Sequence, residues 1–273
     1  MTVVQKLLTP TGTSRIVDEG YAGVGGYVAD ARDIGALNAS ELVAANGWEA
    51  ILGDEPEYVD VLRFETNAMM TFSKPSTAEV PWPSYPSGFL KGTSLAPVWE
   101  LARTRVPIGT EFWRIRADGE QRMLSVYGGL DRGWANAKGY APPTELIGPR
   151  AEWRGVEFPA ALIPGTNNIS LLSLGAPPTT GQFVESMPGI HTSQVPLAEC
   201  DSVFEIIVTA RWMGTRVRFL SRVGDEARVQ ILEPDAYSIQ RLNATEVEPG
   251  VFEAVVPTAE LTDTQGVRNE MRG

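Results

Sequence analysis

The sequence predicts an α+β protein, predominantly β, in which tandem small SH3-like β-barrel modules follow a small α/β N-terminal domain. Three observations carry that expectation: an internal repeat in the second half, a turn-rich composition, and a helix-capping signal near residue 40. Glycine (27) and proline (20) make up about a sixth of the 273 residues, which favours turns over long helices. The 43% hydrophobic and 21% charged fractions are ordinary for a globular chain. The length suits two domains, or one domain plus small repeated modules.

Residues 1–95 read as the α/β domain. Asn38 and Glu41 have the spacing of a capping box, Leu42, Val43 and Ala44 follow, and Gly47 ends the helix. The run over 58–65 largely alternates apolar and charged residues, as a half-buried strand does. Residues 73–94, with Pro-Trp-Pro-Ser-Tyr-Pro inside, read as a loop or linker and set a soft boundary near residue 95.

The repeat organises the rest. Ala151, Trp153 and Gly155 match Ala210, Trp212 and Gly214 at a constant spacing of 59, which also pairs Gly165 with Gly224. The Pro-Gly, Val-Pro and Ala-Glu elements over 188–199 recur over 249–260 at a spacing of 61. These define two β modules, 149–203 and 204–273. Within the second, 215–220 and 226–232 are strand-like and join at Val223-Gly-Asp, a hairpin signal. Ala236, Ile239 and Leu242 share one face of a short helix, and the strand over 250–256 ends at Pro257. A degenerate third copy over 96–148 is suggested by Gly109 to Glu120, which echoes Gly214 to Asp225. Modules of this size bury a limited core, so neighbouring copies are expected to pack together.

Composition narrows function. The formal charge of -11 argues against a phosphate-tracking groove and thus against a nucleic-acid partner. Only four lysines occur, none after Lys138, and the arginines between Arg211 and Arg228 are interspersed with acids. The single cysteine, Cys200, excludes an intramolecular disulfide and a Cys-rich zinc site, and reads as a small buried residue. No run reaches the ~18–20 apolar residues of a membrane span. The first fourteen residues do not have the pattern of a signal peptide, so the expected location is cytoplasmic.

The single histidine, His191, would have to centre any triad or His-based metal site. It aligns with Phe252 in the second copy, which marks a packing position. Gly20 to Gly26 lacks the spacing of a phosphate-binding loop and reads as turns, as do Gly128, Gly129 and Gly133. The acidic pairs Asp54/Glu55, Asp225/Glu226 and Glu246/Glu248 read as solvated turns. Catalytic residues, metal and cofactor are accordingly all expected to be none.

Trp153 and Trp212 are repeat-equivalent and read as core anchors. Trp82 and Tyr85, framed by prolines, read either as partner-binding aromatics or as a clamp between the N-terminal domain and the repeats. Glu233, Asp235 and Tyr237 form a second candidate partner-binding segment.

The cadence Trp-x-Gly, Arg-Val-Arg-Phe, acidic hairpin, Pro-Gly-Val-Phe-Glu over 210–261 resembles actinobacterial immunity proteins encoded with secreted NAD-glycohydrolase or other polymorphic toxins. The resemblance is weaker over 151–199 and implies an antitoxin that blocks a toxin by binding it. It carries no functional residue over, because the matching positions are the glycines, prolines and apolar residues of the module itself. The expectation is therefore a non-enzymatic protein-binding protein, steered by its acidic surface toward a basic toxin domain. The alternatives are a structural or docking component of a larger assembly, such as a phage particle, and a hydrolase or transferase. The enzyme's site would lie between the N-terminal domain and the repeats, with His191 or acids as acid and base.

Overall fold

The computed structural model describes residues 2–73, 86–91, 96–144, 146–176, 178–179 and 181–271. Strands β1 (Val3–Leu7), β2 (Gly23–Asp30), β3 (Tyr58–Glu65), β4 (Gly88–Phe89), β5 (Pro97–Arg105), β6 (Glu111–Arg116) and β7 (Gln121–Val126) form an antiparallel sheet in the order β4-β5-β2-β1-β3-β6-β7. Helices α1 (Pro10–Ser14), α2 (Ala31–Ile34), α3 (Ala39–Asn46) and α4 (Glu49–Leu52) are short. The capping box at Asn38 forms as its spacing predicts, and Gly47 ends α3 at φ 69°.

Alternation along the strands feeds two cores. On one side Leu7, Val59 and Val61 pack with Ile34, Leu42 and Val43 of the helices. On the other Val4, Leu62 and Phe64 pack with Ile16, Tyr127 and Trp134. With both sides covered, β1 is buried over four of its five residues, Gln5 and Lys6 included.

Two expectations change here. The boundary near 95 and the separate module over 96–148 give way to one sheet: β5 pairs with β2, β6 with β3, and β7 with β6. Residues 97–126 thus complete the N-terminal sheet, and the echo of the repeat at Gly109 to Glu120 is a hairpin of that sheet. The glycine run is likewise not all turn, because Gly23 to Gly26 lie within β2. A Cβ on Gly25 would sit 2.8 Å from the Cα of Arg103, so glycine lets β2 and β5 approach at the bulge between Val24 and Gly26.

The second sheet comprises β8 (Gly148–Trp153), β9 (Val156–Leu162), β10 (Asn168–Leu174), β11 (Val184–Met187), β12 (Ile190–Pro196), β13 (Ser202–Trp212), β14 (Thr215–Val223), β15 (Glu226–Ile231), β16 (Thr245–Glu248), β17 (Val251–Pro257) and β18 (Thr262–Glu270). All its ladders are antiparallel, in the order β11-β12-β10-β9-β8-β13-β14-β15-β17-β16, with β18 paired to β13. This open path is not closed into a barrel by any ladder among the described residues. The boundary expected at 203/204 falls inside β13. One edge of that strand pairs with β8 over Ser202 to Ile206 and with β14 over Thr209 to Trp212, while β18 runs along the other edge.

The sequence blocks matched at a spacing of 61 fall on elements of the same kind in the same order. β11, β12 and the 3-10 turn Leu197–Glu199 correspond at a spacing of 61 to β16, β17 and the turn Thr258–Glu260. Leu171 pairs with Ser193 as Val229 pairs with Ala254, and Ile169 with Val195 as Ala227 with Val256. In each half a glutamate ahead of Pro-Gly accepts from the glycine N–H: Glu185 from Gly189 (3.0 Å) and Glu246 from Gly250 (2.9 Å). Trp153 and Trp212 are buried, each in the core of its own half. The short helix expected from Ala236, Ile239 and Leu242 is present as α5 (Ala236–Arg241) and is confined to the second half.

Both Trp-x-Gly blocks build the same two-residue hairpin. Arg154 and Gly155 have φ 55° and 73°, Met213 and Gly214 φ 46° and 79°, so both central residues are left-handed, as in a type I′ turn. A Cβ would meet nothing within 4 Å at Gly155 or Gly214, which leaves backbone strain as the only cost of a side chain there. Gly155→Ala and Gly214→Ala should each therefore destabilise by about 1–2 kcal/mol, measured by urea unfolding, with the two values close to one another.

Candidate functional site

The N-terminal sheet meets the second half of the repeat sheet along a seam of charged groups. Lys6 of β1 is buried and pairs with Glu248 of β16 at 2.8 Å. Beside it the Thr9 hydroxyl, at the start of α1, donates to the Val247 carbonyl (2.8 Å). Glu253 of β17, only 3% exposed, takes Arg15 at 2.7 Å on one oxygen and Arg103 of β5 at 3.3 Å on the other. Arg15 is delivered by a π-helical turn, Arg15–Glu19, which Gly20 ends at φ 69°. Gly26 belongs to the same construction. Its missing Cβ would lie 3.0 Å from the Glu248 carboxylate and 3.2 Å from Lys6 Nζ, so a side chain would press on the ion pair.

Next to this network a cleft of about 100 Å³ opens between β5 and the strands β13 and β14. Its polar lining is Tyr21, Arg103, Arg105, Glu205 and Arg218, and Ile147, Ile206, Phe219 and Leu220 give it an apolar wall. Alternation along β5 places Arg103 and Arg105 on the same side. Arg103 donates to the Tyr21 hydroxyl at 3.3 Å, and its backbone carbonyl accepts from the Arg218 guanidinium. Arg105 donates to the Tyr127 hydroxyl at 3.2 Å.

The environment acts on these charges in different directions. Burial pushes the Glu205 carboxyl up, against the pull of a Thr104 hydrogen bond and of the Arg218 charge. Burial also lowers Arg218, which Glu205 partly offsets and Arg103 reinforces. Arg103 is buried too, but Tyr21, Glu253 and Glu248 outweigh that cost and hold its guanidinium above the ordinary range.

The residues singled out from sequence lie elsewhere. Trp82 and Tyr85 are outside the described residues. Glu233 pairs on the surface with Arg216 at 2.9 Å. Asp235 is the N-cap of α5 and accepts from the Ser238 N–H at 2.7 Å, with its carboxyl held low by hydrogen bonds from the Ser238 backbone and side chain. Tyr237 is 71% exposed, with Arg241 over its ring at 5.2 Å. None of these three lines the cleft. His191 sits half-buried on β12 opposite Ser173 and Glu185, its buried Nδ1 without a hydrogen-bond partner. Cys200 packs on the first repeat core, where burial and then Asp201 and Glu199 push its thiol up, away from the nucleophilic thiolate. Among the described residues no group of three or more His, Cys, Asp or Glu could hold a metal ion.

One expectation fails on charge. Of the pair Glu246/Glu248, read as a solvated turn, Glu246 is exposed and bonds the turn glycine Gly250, but Glu248 is drawn in by buried Lys6. The buried acids did leave a trace in the sequence. Glu205 and Glu253 each follow Val-Phe within an otherwise apolar strand, and a lone carboxylate in such a run either finds a partner or shifts its pKa. No family model, curated protein or solved structure matches the chain.

Two measurements probe the seam. Glu253→Gln leaves Arg15 and Arg103 facing a neutral group and should cost about 3–5 kcal/mol in urea unfolding. For Glu205, a folded pKa raised above the unfolded value of about 4.3 means stability is lost as pH rises through the folded pKa. The melting temperature of Glu205→Gln should therefore gain on the native protein progressively from pH 4 upward. A gap that does not vary with pH would show that burial of the ionised carboxylate carries no cost.

Proposed function

We propose that the chain is a non-enzymatic binding protein, an immunity factor that neutralises a basic toxin domain by covering its active site. One observation supports this most directly. The edge strand β11 is exposed at all four residues, with Val184 at 69% and Met187 at 37%, and Leu174 is exposed two strands away, across Ile190. Unpaired edges that carry apolar side chains are ready surfaces for strand addition or docking. The corresponding strand of the second half, β16, is covered: Val247 is buried, and its carbonyl takes the Thr9 hydroxyl. The same element is thus engaged by the chain's own N-terminal segment in one half and, among the described residues, unpaired along its outer edge in the other.

The finer architecture belongs to the same reading. The two halves are tandem copies of one SH3-like module, left open because they share β13; the matched registers and hairpins support it. The charge of -11 would speed encounter with a basic partner. No helix among the described residues is long and apolar enough to cross a membrane. The proposal has the chain act in the cytoplasm, on a toxin that would otherwise harm its own cell.

Mixing the purified protein with the toxin domain encoded beside it should give a stable complex and abolish toxin activity. The double variant Val184→Arg/Met187→Arg should weaken that complex at least tenfold, with a melting temperature within about 2 °C of the native protein because both positions are exposed. A toxin that stays active and unbound would overturn the proposal. A complex indifferent to the double variant would move the interface away from β11.

A further inference from the structure

We propose that the cleft between β5 and β13–β14 is a binding site for a small oxyanion, carried either by inorganic phosphate or by a short organic carboxylate. The proposal goes beyond the protein-binding reading and stands independently of β11.

The first observation is the local charge. The seam and its cleft gather Lys6, Arg15, Arg103, Arg105 and Arg218 against Glu205, Glu248 and Glu253. A protein of net charge -11 therefore concentrates a cationic surplus along one seam. The three carboxylates do not consume it evenly. Glu248 takes Lys6, and Glu253 takes Arg15 and Arg103. Among the described residues, neither Arg105 nor Arg218 has a carboxylate within 4 Å, although burial already works against the Arg218 charge. Arg218 has only the more distant Glu205 charge to offset its burial, and a bound oxyanion offers both guanidinium groups the planar, bidentate partner they are shaped for.

The second observation is an unmet donor. Arg103 Nε is buried and has no hydrogen-bond partner. Of the buried side-chain atoms without a partner among the described residues, it alone belongs to a residue that lines the cleft, where a ligand would complete it.

The third is size and lining. A volume of about 100 Å³ is room for several water molecules. It admits phosphate or a two- to four-carbon acid. The Ile206 and Phe219 side of the wall would receive a short aliphatic tail.

The test is titration of the full-length protein at constant ionic strength with sodium phosphate, sodium propionate, and neutral propionamide, read by calorimetry and by thermal shift. Saturable binding of phosphate, propionate or both at about 1 mM or tighter is expected, and the responding probe identifies the source of the oxyanion. Arg105→Gln and Arg218→Gln should each weaken it at least tenfold. Arg105→Gln decides alone if Arg218→Gln fails to fold. Absence of saturable binding, binding unchanged in Arg105→Gln, or an equal response to propionamide would overturn the site.

Discussion

Glu253 forms ion pairs with two arginines that arrive from different parts of the N-terminal half, and that shared carboxylate fixes how the two sheets meet. Apolar contacts are forgiving in direction, whereas a buried carboxylate between Arg15 and Arg103 tolerates little displacement before it is left uncompensated. Much of the local irregularity nearby follows from that requirement. The π-helical turn brings Arg15 round, the β2–β5 bulge sets Arg103, and Gly26 leaves room for Lys6 to reach Glu248. These features look unrelated along the chain and are joined only at the seam.

The legible parts of the sequence were those governed by local chemistry. Asn38 and Glu41 announce their capping box three residues apart, and Gly155 and Gly214 announce left-handed turns, because the determinants lie within one turn of chain. The repeat was readable for the same reason, since Pro-Gly, Val-Pro and Trp-x-Gly are local devices used twice. Pairing across long separations was not readable. The Pro-rich stretch before residue 95 reads as a linker, yet the strands on either side of it share a sheet. Stiffness and solubility are properties of a segment, whereas ladder partners are chosen by the whole chain. The candidate site shows the same divide. Glu205 and Glu253 stand out as acids in apolar runs, but nothing in their neighbourhood names Arg103 or Arg218 as the groups facing them. The aromatic and acidic residues around Tyr237 drew attention by composition, and Asp235 turned out to be occupied with capping α5.

Net charge is a poor guide to local charge here. Most of the acids responsible for the value of -11 lie outside the seam, where they can steer encounters, while five cations converge between the sheets. An average over the chain conceals two electrostatic environments of opposite character, and the two proposals draw on one each.

Strand β13 also imposes an order on events. As the chain leaves the ribosome, β8 has no partner on its far side until residues 202–206 emerge, and those residues belong to a strand whose other half waits for β14. The outer edge of β13 stays bare until β18 lies down along it. Until residues 262–270 have emerged, the longest strand among the described residues therefore lies open along one edge to any neighbour able to pair, even after the β14, β15 and β17 ladders are complete.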